Sequence, residues 1–343
     1  MSENYAAVLH GPFDLRIVSL LVPKVLIEVS CVGICGSDVK LYSTGKCGRE
    51  VITDPIVIGH EGAGKVVKVG TKVSTLRVGD RVAIEPTQPC RACEFCKQGR
   101  YNLCPKPGYC SSMGFHGNLC RYYKHVADFC HKIPENLSME EGAAIQPLAI
   151  AMHACNRANI KVGNNIVILG AGPIGILCAM SARAMGAGKI LMTDIVESRL
   201  TTARSLGADY TVLTKRDETD GELAERVRRE LGDEPDITID ACGFAQAQRV
   251  AMMVTKSGGT VLVVGIGEDK VEVPLSPALL REVDVRGSLR IVNTYPAALT
   301  AVSSGRIPLQ KFISHHMPLQ KAKQALDLAK TGDAMKIIIH VQQ

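Results

Sequence analysis

A chain of 343 residues, 46% hydrophobic and 22% charged, has the length of two domains and the balance of a soluble globular protein, which excludes a fibrous or natively disordered chain. With 4% aromatic residues, no Trp and 32 glycines, it fits a Gly-turned α/β protein better than an aromatic-rich sandwich. The net charge is +6, but its basic residues are scattered and form no arm or patch, which excludes a nucleic-acid partner.

The N-terminus, MSENYAAVLHGPFDL, has no basic region followed by an apolar one, so nothing marks export. Thirteen cysteines in such a chain point to metal ligands and buried thiols, hence a cytoplasmic protein. Up to about residue 145 short β-rich runs such as VLIEVS, KVVKVG, RVAIEP and HVADFCHKIP alternate with Gly and Pro, as in a β-rich domain. Within it, GICGSD places Cys35 in a Gly-flanked loop, and VIGHEGAG places His60 beside Glu61. Neighbours on a regular strand face opposite ways, so both reach one metal only from an irregular turn, which Gly59 and Gly62 permit. CRACEFCKQGRYNLC sets Cys90, Cys93, Cys96 and Cys104 in a C-x2-C-x2-C-x7-C array. Four thiolates in one loop close a tetrahedron around zinc and leave no position for substrate, so this site is structural.

The pattern changes at Pro147, read as the start of a helix, LAIAMHACNRAN. NNIVILG is then a short apolar run suited to a buried parallel strand. ILCAMSARAMGA, SRLTTARSLGA and GELAERVRREL read as helices, and KILMTD, YTVLT, DITIDACG and GGTVLVVGIG as strands. This alternation predicts a doubly wound parallel sheet. At its start, Gly170, Gly172 and Gly175 have G-x-G-x-x-G spacing, and the next strand ends at Asp194. The glycines allow a tight turn, approach of a pyrophosphate and close helix–strand packing, with the pyrophosphate on the helix N-terminus. Asp194 accepts from the ribose hydroxyls and repels a 2′-phosphate, with Glu197 adding to that, so NAD is expected over NADP despite nearby Arg199. No apolar run reaches the roughly 20 residues of a membrane span. Beyond about residue 287, RGSLRIVN and KIIIHV read as strands returning to the first domain.

Together GICGSD (33–38), GHEGAGKVVKVG (59–70), the Cys90–Cys104 array and VILGAGPIG (167–175) resemble the zinc-dependent medium-chain dehydrogenases. IEPTQPCRACEFCKQGRYNLCP, QPLAIAMHAC and RIVNTYPAAL are most similar to the sorbitol dehydrogenases, or ketose reductases, among them. The resemblance implies a GroES-like β-rich catalytic domain over 1–147 with the structural-zinc loop 90–104, a Rossmann NAD-binding domain over 148–286, and a return to the catalytic domain over 287–343. It implies Cys35, His60 and Glu61 as ligands of a catalytic zinc, with Ser37 and position 146 in the catalytic set. The implied cofactor contacts are Gly170, Gly172, Pro173, Ile174, Gly175, Asp194, Arg199, Val264, Gly265, Ile266, Ser288, Leu289 and Arg290; Arg290 also binds substrate. The implied reaction oxidises a polyol hydroxyl to a ketose with hydride transfer to NAD, and the implied assembly is a homotetramer, with a dimer as the alternative.

Several positions depart from that pattern. Gln146 stands where the family has a glutamate, Ile291 and Leu41 replace tyrosines, and Lys40 replaces a histidine. Phe115 and His116 fall in a loop that is more acidic in the family, and a short connector between Pro23 and Val25 is missing. Treated as pocket residues, Leu41 and Ile291 predict fewer hydroxyl partners, hence a shift towards less polar secondary alcohols or weak turnover of sorbitol, while Gln146 lacks the carboxylate that would relay the proton. Two readings follow: a zinc- and NAD-dependent polyol dehydrogenase, or a non-catalytic relative that keeps cofactor and zinc for a binding or structural role.

Overall fold

The computed structural model describes residues 4–20, 27–48, 50–71 and 73–342; the missing connector at Pro23–Val25 lies outside them. The chain divides into two compact units, Met1–Gln146 with Tyr295–Gln343, and Pro147–Thr294.

In the first unit a seven-stranded sheet runs in the order Cys130–Lys132, Arg81–Ile84, Glu61–Val66, Ile27–Gly33, Ile337–His340 and His315–Pro318, with Tyr122–Tyr123 also paired to Ile27–Gly33. Its pairings are antiparallel except the last two strands, which are parallel. Ile27, Val29, Ile84, Ile337 and Ile339 enter one buried cluster with Leu326 of the helix Ala322–Thr331. KIIIHV therefore does return to this sheet. RGSLRIVN does not: its first residues end the strand Asp284–Gly287 of the other unit.

In the second unit six parallel strands lie in the order Tyr210–Leu213, Ile190–Asp194, Ile166–Leu169, Ile237–Asp240, Thr260–Val263 and Asp284–Gly287. All of Ile166–Leu169 is buried, as expected where helices cover both faces of a parallel strand. The helix Asp220–Leu231 shows how locally the sequence sets an element. Leu223, Ala224, Val227 and Leu231 form its buried stripe, Thr219 and Glu222 cap its start reciprocally, and Gly232 ends it at φ +72°. The strand order reverses between Ile166–Leu169 and Ile237–Asp240, which is where such sheets bind ligands.

Pro147 lies inside a helix, not at its start. Ser138 and Glu141 cap each other's backbone N–H, at 3.0 and 2.8 Å, and the helix runs Met139–Ala158. This capping box fixes the start of the helix, and Pro147 within it forgoes the hydrogen bond to the Ala143 carbonyl.

Candidate active site

Gly59 makes the turn before the strand Glu61–Val66: its φ is +92°, and a Cβ there would lie 2.9 Å from that of Leu119. His60 therefore precedes the strand while Glu61 begins it, opposite Gly33. Gly62 plays no part in the turn; it sits within the strand, paired with Val32 and Ile84. Glu61 Oε2 occupies the space of a Gly33 Cβ, 2.1 Å away. Cys35 caps the helix Gly36–Thr44. The ligand atoms of Cys35, His60 and Glu61 lie within 4.8 Å of one another, a thiolate–imidazole–carboxylate set that suits zinc with a position left open.

Three residues that sequence reading did not assign hold this set. Asp38 faces His60 Nδ1 at 3.4 Å and accepts the N–H groups of Cys35 and Gly59, leaving His60 Nε2 as the donor atom. Burial opposes a charged His60, but Asp38 and Cys35 outweigh it and hold its pKa well above the usual histidine value. A cation at this imidazole thus displaces a proton. Lys336, buried with Glu61, donates to Oε1 and Oε2 at 2.8 and 2.7 Å and to the Ile34 carbonyl at 2.9 Å. That uses every ammonium proton but only one lone pair on each carboxylate oxygen, so Glu61 keeps capacity for a metal. Ser37 Oγ donates to Cys35 Sγ at 3.2 Å and lies 3.5 Å from His60 Nε2. Tyr109, the third, lies 5.9 Å from His60 between ring centroids and accepts from Gln146 Nε2 at 3.2 Å. Gln146 Oε1 is buried without a hydrogen-bond partner among the described residues. An acceptor so placed is costly unless a ligand donates to it. Asp38 was visible within GICGSD; Lys336 and Tyr109 carried no local signal.

Leu41 is 5% exposed and belongs to the apolar cluster of the first unit, and Ile291 is 0% exposed. Lys40 is exposed on the helix Gly36–Thr44, and His116 Nδ1 accepts the Val57 N–H at 3.1 Å.

The sulfurs of Cys90, Cys93, Cys96 and Cys104 also lie within 4.8 Å of one another. Cys90 and Cys96 are 4.0 Å apart, close to the roughly 3.8 Å edge of a zinc tetrathiolate with bonds of about 2.3 Å. Backbone N–H groups of Ala92 and Cys93 draw the Cys90 pKa down to about 6, favouring the thiolate a metal needs.

In the second unit Gly170 stands at φ +106°, and a Cβ on Gly175 would lie 1.9 Å from the Gly170 carbonyl. Gly172 instead faces open space and caps the helix Pro173–Ala184 with no side-chain hydrogen bond. The turn, with Pro173 opening the helix and lacking an N–H, thus presents first-turn N–H groups such as that of Ile174 where a pyrophosphate fits. Asp194 accepts from the N–H groups of Ala171 and Val196 at 2.8 and 2.9 Å, with Arg199 at 3.8 Å. Val264 and Gly265 donate to the Asp240 carbonyl, followed by Ile266, 75% exposed. Ser288 donates to the Val263 carbonyl. Leu289 and Arg290 follow, Arg290 at φ +54°, a backbone state uncommon outside glycine and enriched at functional sites.

An open three-ligand metal cluster and a dinucleotide cradle on a doubly wound sheet define a metal-dependent dehydrogenase. The family models agree: residues 23–135 match the alcohol dehydrogenase GroES-like domain, and residues 173–304 the zinc-binding dehydrogenase domain. The chain belongs to the zinc-dependent medium-chain dehydrogenases. It is 70% identical to a sorbitol dehydrogenase of Bombyx mori, over 100% of both chains, and 42% identical to one of Homo sapiens, over 98% of this chain and 96% of that one. Its fold is similar to that of 2R,3R-butanediol dehydrogenase from Bacillus subtilis, with a TM-score of 0.89, 30% identity, and 98% and 99% of the two chains covered.

Proposed function

We propose that the chain oxidises a secondary hydroxyl of a sorbitol-type polyol to the ketose, passing hydride to NAD and releasing one proton. The observation that carries this is the convergence of Cys35, His60 and Glu61 within 4.8 Å. Zinc held there supplies Lewis-acid chemistry at the alcohol oxygen. Asp38 orients His60, Lys336 fixes Glu61, and Ser37 hydrogen-bonds the Cys35 sulfur. Gln146 Oε1 is a hydrogen-bond acceptor that orients a hydroxyl without being able to take its proton. Polyols are expected to rank above butane-2,3-diol, in line with 70% identity to a sorbitol dehydrogenase. The intact ligand and cofactor residues favour this enzyme over a non-catalytic relative.

NAD is preferred over NADP because the Asp194 carboxylate, held by two backbone N–H groups, repels a 2′-phosphate. The cysteine-rich zinc loop supports a reducing, cytoplasmic setting. The strand Asp284–Gly287 ends the six-stranded sheet, with Val285, Leu279 and Leu280 exposed at 46%, 62% and 88%. This apolar edge supports pairing with a second copy, as a dimer or within a homotetramer. No helix among the described residues is long and apolar enough to cross a membrane.

The test is zinc content together with NADH formation on sorbitol, xylitol and butane-2,3-diol, with NAD and NADP in parallel. Two tightly held zincs per chain and polyol-dependent NADH formation are expected. One zinc and no turnover would overturn the reading.

A further inference from the structure

Glu140, His316 and His340 come together from three distant parts of the first unit. His316 and His340 lie on the parallel strands His315–Pro318 and Ile337–His340, whose register pairs His316 with Ile338. His340 is two residues beyond Ile338, so both imidazoles share one face of the sheet. Glu140, in the first turn of the helix Met139–Ala158, brings its carboxylate to the same point. Its Oε1 lies 3.0 Å from His316 Nδ1 and 3.0 Å from His340 Nε2, and the two nitrogens are 3.5 Å apart.

We propose that these residues form a third divalent-metal site of zinc class, built from side chains that neither cysteine-containing cluster uses. Ligands about 2.0–2.1 Å from a tetrahedral zinc stand roughly 3.3 Å from one another. The three separations bracket that edge. Two imidazoles and one carboxylate suit zinc-class ions, not calcium or magnesium, which take oxygen ligands.

The surroundings fit such a site. Behind the His340 ring, Cys31 Sγ lies 3.7 Å from Nδ1, a hydrogen-bond partner for the nitrogen turned away from the ion. Cys31 is buried and meets the ring at Nδ1, whereas Nε2 faces Glu140, so its sulfur lies on the far side of the imidazole from the ion. The side chains of His316, His340 and Glu140 are 48%, 22% and 27% exposed. Three protein ligands at a solvent-facing site leave a coordination position open, and the ion exchanges more readily than one closed in by four thiolates. Bound there, it ties both strands to the start of the helix.

The test uses the full-length enzyme, washed with a mild chelator so that only tightly held zinc remains. Zinc is then added in a calorimetric titration, with metal counted by elemental analysis. One further zinc per chain is expected, with a raised Tm. Outer-sphere changes already weaken metal binding by about 10–100-fold, so His316→Ala and Glu140→Gln are each expected to weaken the added zinc by more than about 100-fold. Cys31→Ala is expected to weaken it about tenfold. Cobalt added to the washed protein should show ligand-field bands without new thiolate charge-transfer absorption, and polyol oxidation by His316→Ala should match the parent. No uptake of added zinc by the parent would overturn the proposal. So would unchanged uptake by both His316→Ala and Glu140→Gln, which would mark an adventitious ion only.

Discussion

Lys336 is the residue whose loss should be felt most at the site. It and Glu61 form a buried ion pair, and removing one member strands the other charge, at about 3–5 kcal/mol. Lys336→Met is therefore expected to destabilise the zinc-depleted protein by about that amount, and less when zinc neutralises Glu61. Thermal denaturation with and without chelator reads the difference. Gln146→Glu tests the missing proton acceptor. General acid–base groups typically contribute about 10²–10⁴-fold, and this variant is expected to raise kcat for sorbitol by at least about tenfold. An unchanged kcat would mean that the proton leaves by another route. His125 governs acid stability. Burial pushes its pKa down to about 4, while its Nε2–H donates to the Glu85 carbonyl at 2.7 Å. An unfolded histidine titrates near about 6.5. Between those values the unfolded chain takes up a proton that the folded one refuses, so stability is full above about pH 6.5 and falls as pH drops towards 4, by on the order of 3 kcal/mol. His125→Gln should flatten that part of the stability–pH curve.

Among the elements, the turn into Glu61–Val66 and the helix Met139–Ala158 decide how the site is presented. Gly59→Ala meets both a left-handed backbone and a contact of 2.9 Å with Leu119. A loss of about 1–3 kcal/mol is expected, with His60 and Glu61 displaced together. After a chelator wash, zinc content should fall from two towards one per chain, because the four-cysteine loop is formed by a separate segment. The helix explains why Gln146 reaches the site region at all. Sequence reading starts it at Pro147, because proline favours first turns. The Ser138–Glu141 capping box starts the helix earlier and places Gln146 within it, its amide held by Tyr109.

For the whole molecule, the proposed pairing with a second copy would use the edge strand Asp284–Gly287. Lysine on an exposed edge opposes strand pairing, so Val285→Lys is expected to shift the protein towards monomers, as measured by sedimentation velocity. An unchanged mass would place the interface elsewhere.

Sequence alone was enough wherever the determinant is local. The four-cysteine loop, the G-x-G-x-x-G turn with Asp194, and the alternation of buried strands and striped helices depend on spacing within a few tens of residues. Spacing of that kind maps directly onto metal tetrahedra, phosphate cradles and parallel sheets. Folding decided what depends on residues far apart in the chain. It paired Lys336 with Glu61 and Tyr109 with Gln146, brought Glu140, His316 and His340 to one point, and enclosed Leu41 and Ile291. Burial and long-range pairing leave no periodic trace in sequence, because they arise only when separate segments exclude water from one another.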